Sequence, residues 1–158
     1  MKAIKLFLTD VDGTLTDGGM YYSKEGDVMK RFYVRDGMGM KLLQQAGIKI
    51  GILTSETTPI VETRAQKLGV DYLRQGIRFE GKLRATEEMC REMGIDLEEV
   101  AYIGDDVNDI ALLEAVGIAA CPQDACDEVS AIKGIRIMPH TGGHGAVRDL
   151  ADLILKMQ

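Results

Sequence analysis

A chain of 158 residues, 46% hydrophobic and 28% charged, is long enough to bury a core without disulfides or a structural metal, and reads as one folding unit over 1–158. A net charge of −6 without any long Lys/Arg run excludes the electrostatic footprint of a nucleic-acid binder. No apolar run approaches the length of a membrane span and no signal-type segment precedes the first strand, so a cytoplasmic address is expected.

Lys5 to Thr9 is a short apolar strand that ends in Asp10-Val11-Asp12-Gly13-Thr14. Period-two geometry sends Asp10 and Asp12 to the same side while the strand lasts. Like charges so close need a cation or hydrogen-bond donors to hold them. The segment 15–34 carries aromatic and β-forming residues on both sides of Lys24-Glu25-Gly26-Asp27, which predicts a β-hairpin. Its Met20, Tyr21, Tyr22, Phe32 and Tyr33 would pack on something else, such as another subunit.

A helix follows from about Arg35 to Ala46, stopped by Gly47, and Ile48 to Leu53 forms the next strand, ending in Thr54-Ser55-Glu56. Thr58-Pro59 opens a helix by N-cap and N1-proline logic, running to Leu68. Val70 to Leu73 is a strand, a loop leads past Lys82 into a helix over about 83–93, and a strand from Glu99 to Ile103 runs into Gly104-Asp105-Asp106-Val107-Asn108-Asp109. A helix through Ala115, a strand at 116–120, a small helix after Pro122 and a strand at 135–138 continue the alternation. The loop 139–145 is glycine-rich and expected to be mobile, ahead of a last helix over 146–157. His140 and His144 bracket two glycines that disfavour a helix, and Cys90, Cys121 and Cys126 lack CxxC spacing, so neither a zinc site nor a disulfide framework is expected.

Strands alternating with helices predict an α/β protein, a doubly wound parallel sheet with helices on both faces and a β-hairpin inserted after the first strand. Ligands bind such sheets beyond the carboxyl ends of the strands, where Asp10, Asp12, Thr54, Asp105, Asp106 and Asp109 all fall. Carboxylate oxygens converging with a hydroxyl and the Lys82 ammonium suit Mg²⁺ and phosphoryl transfer.

In order and separation, Asp-Val-Asp-Gly-Thr, Leu-Thr-Ser, the lysine before a helix and Gly-Asp-Asp-Val-Asn-Asp resemble the four motifs of the haloacid dehalogenase superfamily of phosphatases. The resemblance implies Asp10 as the nucleophile, taking the phosphoryl group as an aspartyl phosphate, and Asp12 as the proton carrier. It implies that Thr54 and Lys82 bind phosphoryl oxygens, and that Mg²⁺ sits among Asp10, the Asp12 carbonyl and Asp105. Asp106 and Asp109 would order the metal loop, with helix N-capping as the competing reading. A receiver-type phospho-acceptor domain would instead put an acidic pair after the first strand and its phosphorylated aspartate after the third. An idle assembly domain of the same fold would not need the full motif set.

Only a hairpin stands where most of the superfamily inserts a cap domain. The chain therefore resembles the capless branch, homotetramers that act on phosphorylated 2-keto-3-deoxy sugar acids with eight or nine carbons. That resemblance offers Arg35, Arg64, Lys67 and Arg148 as partners of the sugar carboxylate, with Ser55 and Glu56 beside Thr54. Glu56 with Lys67 resembles the nine-carbon type, so a nine-carbon substrate (2-keto-3-deoxy-nononate 9-phosphate or N-acetylneuraminate 9-phosphate) is expected, with 3-deoxy-D-manno-octulosonate 8-phosphate as the alternative.

Overall fold

The computed structural model describes residues 2–157. Strand β1 (Leu6–Thr9) is fully buried. Its Leu6 and Leu8 enter one hydrophobic cluster and Phe7 the other, so the strand is covered on both faces. Strands β2 (Tyr21–Ser23) and β3 (Gly26–Met29) form a separate antiparallel hairpin. Helix α1 (Val34–Gln45), strand β4 (Lys49–Leu53), helix α2 (Pro59–Leu68) and strand β5 (Tyr72–Arg74) follow. Then come α3 (Glu80–Met93), β6 (Val100–Ile103), a 3₁₀ turn over Val107–Asp109, α4 (Ile110–Leu113), β7 (Ile118–Cys121), α5 (Asp127–Ser130), β8 (Arg136–Ile137) and α6 (Ala146–Met157).

The six-stranded sheet is parallel throughout, in the order β5-β4-β1-β6-β7-β8. The apolar residues of α1, α2 and α6 join Phe7, Ile50 and Ile52 on one face. Those of α3, α4 and α5 join Leu6, Leu8 and Tyr102 on the other. The chain first winds outward from β1 through β4 and β5, then returns to place β6 on the opposite side. Strand order reverses between β1 and β6, which opens a crevice at their carboxyl ends. This is the expected doubly wound fold, and among the described residues no cap domain covers the crevice.

Helix α2 begins as its sequence dictates, with Thr58 Oγ1 accepting the Ile60 N–H at 3.2 Å and Pro59 in the first turn. Helix α3 begins three residues before the expected boundary. Its N-cap, Phe79, makes no side-chain cap bond and has φ +48°, so the usual capping signal is missing from the sequence there.

The glycine-rich loop 139–145 is pinned rather than loose. Gly142 and Gly143 are buried, Gly143 N–H donates to the Thr14 carbonyl at 3.0 Å, and Gly142 N–H donates to Asp124 Oδ1 at 2.9 Å. Arg31 Nη1 also donates to the Gly143 carbonyl at 3.0 Å. A Cβ on Gly142 would overlap the Gly13 carbonyl oxygen, so glycine is required there for backbone approach. The loop braces the turn that carries Asp12.

Gly142→Ala is therefore expected to destabilise the protein by about 1–3 kcal/mol through overpacking. It should also disturb the Asp12 turn, because the displaced backbone is that of Gly13. Thermal melting checks this, and a melt unchanged from wild type would contradict the packing account.

Candidate active site

Asp10 follows β1 and is 6% exposed, and its N–H donates to the Ile103 carbonyl at 3.0 Å. Strand pairing thus fixes where its carboxylate starts. Lys82 lies in the first turn of α3 with a wholly buried side chain. Its ammonium donates to Asp10 Oδ1 at 2.8 Å, to Asp109 Oδ1 at 2.6 Å and to the Tyr102 hydroxyl at 3.3 Å. Lys82 is thus the cation that meets Asp10.

Asp109 is fully buried and saturated. Oδ1 takes the Lys82 ammonium and the Tyr102 hydroxyl, the latter at 2.6 Å. Oδ2 accepts the N–H groups of Asp105 and Asp106 at 3.0 and 3.3 Å. It orders the β6–α4 loop, which aims Asp105 back at β1. Asp106 is exposed and caps the 3₁₀ turn through the Val107 N–H at 2.7 Å. Asp105 accepts the Thr14 hydroxyl at 3.1 Å. Gly13, at φ +87°, lets the turn after Asp12 pass Asp105 where a Cβ would strike its carboxylate.

Oxygens of Asp10, Asp105 and Asp109 lie within 4.8 Å of one another. Against these three carboxylates stands the single ammonium of Lys82, so the cluster carries excess negative charge. Burial raises Asp10 from 3.8 to about 6; Lys82 opposes the rise and Asp109 adds to it. Burial, then Asp10 and Asp109, raise Asp105 to about 8. Hard, buried, mutually repelling oxygens fit a divalent cation such as Mg²⁺. With Asp109 saturated, Asp10 and Asp105 are the side chains left to hold it.

Thr54 directly follows β4, the neighbour of β1, and is 1% exposed; its Oγ1 accepts the Glu56 N–H at 3.3 Å. Ser55 Oγ donates to the Ile77 carbonyl at 3.0 Å and accepts Asn108 Nδ2 at 2.9 Å, tying this loop to the Asp105 loop. Glu56 is exposed.

The expected carboxylate-binding cations do not gather here within one chain. Lys67 sits in the last turn of α2, about 12 Å of helix rise from Pro59 and toward the amino ends of the strands. The Arg64 guanidinium stacks over Phe32, 5.4 Å from the ring centre. Arg35 and Arg148 line a separate cleft of about 470 Å³ with Tyr33, His140 and His144, and no catalytic candidate shares that lining. Local spacing could not foresee this, because each cation's direction is set by helix rotation against its neighbours.

Three contacts escaped the sequence reading. Tyr102 sits in an otherwise aliphatic strand, and a buried tyrosine needs a hydroxyl partner, which was the available signal. Thr14 was passed over as part of a turn. Lys30, whose side chain is wholly buried, donates to Asp12 Oδ1 at 2.6 Å; nothing local announces a pairing across 18 residues.

A parallel doubly wound sheet that delivers a buried Asp–Lys pair, a threonine hydroxyl and cation-seeking carboxylates to one crevice fits a phosphoryl-transfer hydrolase. The haloacid dehalogenase-like hydrolase family profile matches residues 28–117. The chain is 37% identical to the 3-deoxy-D-manno-octulosonate 8-phosphate phosphatase KdsC of Haemophilus influenzae, covering 100% of this chain and 86% of that one. Identity to KdsC of Escherichia coli K12 is 36%, covering 98% and 81%. Among solved structures, the phosphatase of the same name from Moraxella catarrhalis, in complex with magnesium, phosphate and KDO, superposes with a TM-score of 0.92 at 41% identity, covering 99% of this chain and 88% of that one. The cobalt-bound enzyme from Haemophilus influenzae gives 0.92 at 36% identity, covering 99% and 90%. The chain belongs to the haloacid dehalogenase-like hydrolases and is a phosphatase of their capless branch.

Because Asp10 and Asp105 are raised, their contribution to stability in the metal-free protein is full below about pH 4 and is lost as pH rises through about 6 and 8. A bound cation must displace those protons at low pH. Saturating Mg²⁺ is therefore expected to raise the melting temperature more at pH 8 than at pH 5. Calorimetry of the metal-stripped protein checks this, and equal increments at the two values would remove these carboxylates from the metal site.

Proposed function

We propose that this chain hydrolyses 3-deoxy-D-manno-octulosonate 8-phosphate, with Asp10 as nucleophile. The observation that carries the chemistry is the buried Lys82 ammonium held between Asp10 and Asp109. It keeps Asp10 in place at the mouth of the crevice, and its charge opposes that of the incoming phosphoryl oxygens. The substrate follows from the eight-carbon phosphatases that resemble the chain over nearly its whole length. The nine-carbon expectation has no counterpart among them, and Glu56 and Lys67, which motivated it, do not converge within one chain.

In the first step an Asp10 oxygen bonds to phosphorus as the bond to the sugar oxygen breaks, and Asp12 gives that oxygen its proton. In the second, Asp12 takes a proton from water as the water oxygen attacks phosphorus, and the Asp10–phosphorus bond breaks. The Thr54 hydroxyl and Lys82 stabilise the transferring oxygens. Mg²⁺ held by Asp10, Asp105 and the Asp12 carbonyl would neutralise charge between nucleophile and phosphate.

Arg35, Arg64 and Lys67 remain proposed as sugar contacts in an assembly, where a neighbour's helices could bring them near a second crevice. The outer hairpin leaves Tyr22 62%, Val28 55% and Met29 53% exposed. An apolar surface of this kind fits a homo-oligomer, for which we propose a tetramer. No helix among the described residues is long and apolar enough to cross a membrane, and a cytoplasmic enzyme is the proposal that accompanies this substrate.

Phosphate release with Mg²⁺ is expected to show a higher kcat/KM for the eight-carbon than for nine-carbon keto acid phosphates, and Asp10→Asn should abolish it while leaving the circular dichroism spectrum intact. A reversed ranking would restore the nine-carbon reading; turnover by Asp10→Asn would remove the nucleophile. Sedimentation at micromolar concentration should give an oligomer, and a monomer there would leave the hairpin surface without the proposed partner.

A further inference from the structure

We propose that Lys30 is a positioning residue for Asp12, carried into the crevice by the hairpin. Its side chain is wholly buried and its ammonium meets Asp12 Oδ1 at 2.6 Å, Asp27 Oδ2 at 3.2 Å and Met20 Sδ at 3.7 Å. Asp27 and Met20 belong to the hairpin region, so the ammonium is fixed to the hairpin and points at the one carboxylate that must move protons. Asp27 Oδ1 is buried without a partner, which leaves Lys30 as the contact that holds the Asp27 carboxylate.

Two features favour positioning over a mere fastening of the hairpin. A lysine is almost never fully buried unless paired, and a buried ion pair is a poor source of net stability. Moreover, the ammonium is tethered on its hairpin side by Asp27 and Met20, so the hairpin sets the direction from which it meets the Asp12 carboxyl group. Among the described residues Lys30 is the only group bonded to the Asp12 side chain. One Asp12 oxygen is tied down, and the other is left to carry the proton. Small misplacements of a proton carrier are expensive in rate, and Asp12 sits on the turn that follows β1.

This inference rests on the proposed phosphatase chemistry, and wild-type turnover of a sugar phosphate and of p-nitrophenyl phosphate tests that chemistry separately. The discriminating measurement is first-turnover release of the leaving group by rapid quench. A sugar alkoxide needs a proton as it departs; p-nitrophenolate does not. Lys30→Met is expected to slow release of the sugar by at least about 30-fold, within the range general-acid catalysis supplies, while p-nitrophenolate release changes less than about threefold. KM for the sugar phosphate should stay within about threefold of wild type, and Lys30→Arg should recover most of the lost rate. Asp27→Asn retains the ammonium with a weaker anchor and should give a smaller loss of the same selectivity; it serves as the test if Lys30→Met does not fold. Equal slowing of both leaving groups, or a raised KM with unchanged first-turnover rate, overturns the proposal.

Discussion

The placement of one ammonium inside the protein governs the rest of the site. Lys82 has no access to solvent and is held between Asp10 and Asp109, with the Tyr102 hydroxyl completing the shell. Removing such a cation would leave two buried carboxylates facing one another, a loss of about 3–5 kcal/mol by analogy with other broken buried pairs. The pairing also links three elements that are distant in sequence. Through Asp10 it registers α3 against β1; through Asp109 it registers α3 against the loop after β6. The same saturated Asp109 turns the N–H groups of Asp105 and Asp106 inward, so that Asp105 arrives beside Asp10 and Thr14.

Around this centre the fold leaves a charge imbalance in place. Carboxylates outnumber the cation that serves them, and burial pushes both Asp10 and Asp105 upward. A packed core would not tolerate that imbalance without a ligand. A phosphatase benefits from it, because a divalent cation would then have a prepared site beside the Lys82 ammonium. The turn after β1 is held from outside by the buried glycines of the loop before α6, and from the hairpin side by Lys30. A hairpin too small to act as a cap thus still reaches Asp12.

Much of this was legible before any coordinates. The Asp-x-Asp-Gly-Thr turn, the Thr54 strand end and the Gly-Asp-Asp segment all follow buried strands, and period-two burial with glycine punctuation marks such strands strongly. The helix at Thr58-Pro59 was readable because its cap is a side chain. The start of α3 was not, because Phe79 caps without a side-chain bond. The loop 139–145 reads as mobile from composition, whereas its glycines serve close approach to the Asp12 turn; composition does not distinguish freedom from fit.

Local pattern and motif order therefore determined the α/β class, the end of the sheet that carries the chemistry, and Asp10, Asp12, Thr54 and Asp105 as candidates, because each depends on residues adjacent in sequence. Tertiary structure decided which cation meets Asp10, that Asp109 is already saturated, that Tyr102 and Lys30 adjoin the cluster, and that Arg64 stacks on Phe32 while Lys67 lies in the last turn of α2. Those outcomes depend on helix rotation, strand order and burial. A charge's partner is chosen by proximity in space and by the penalty of leaving it unpaired, and neither is written in the spacing of residues along the chain.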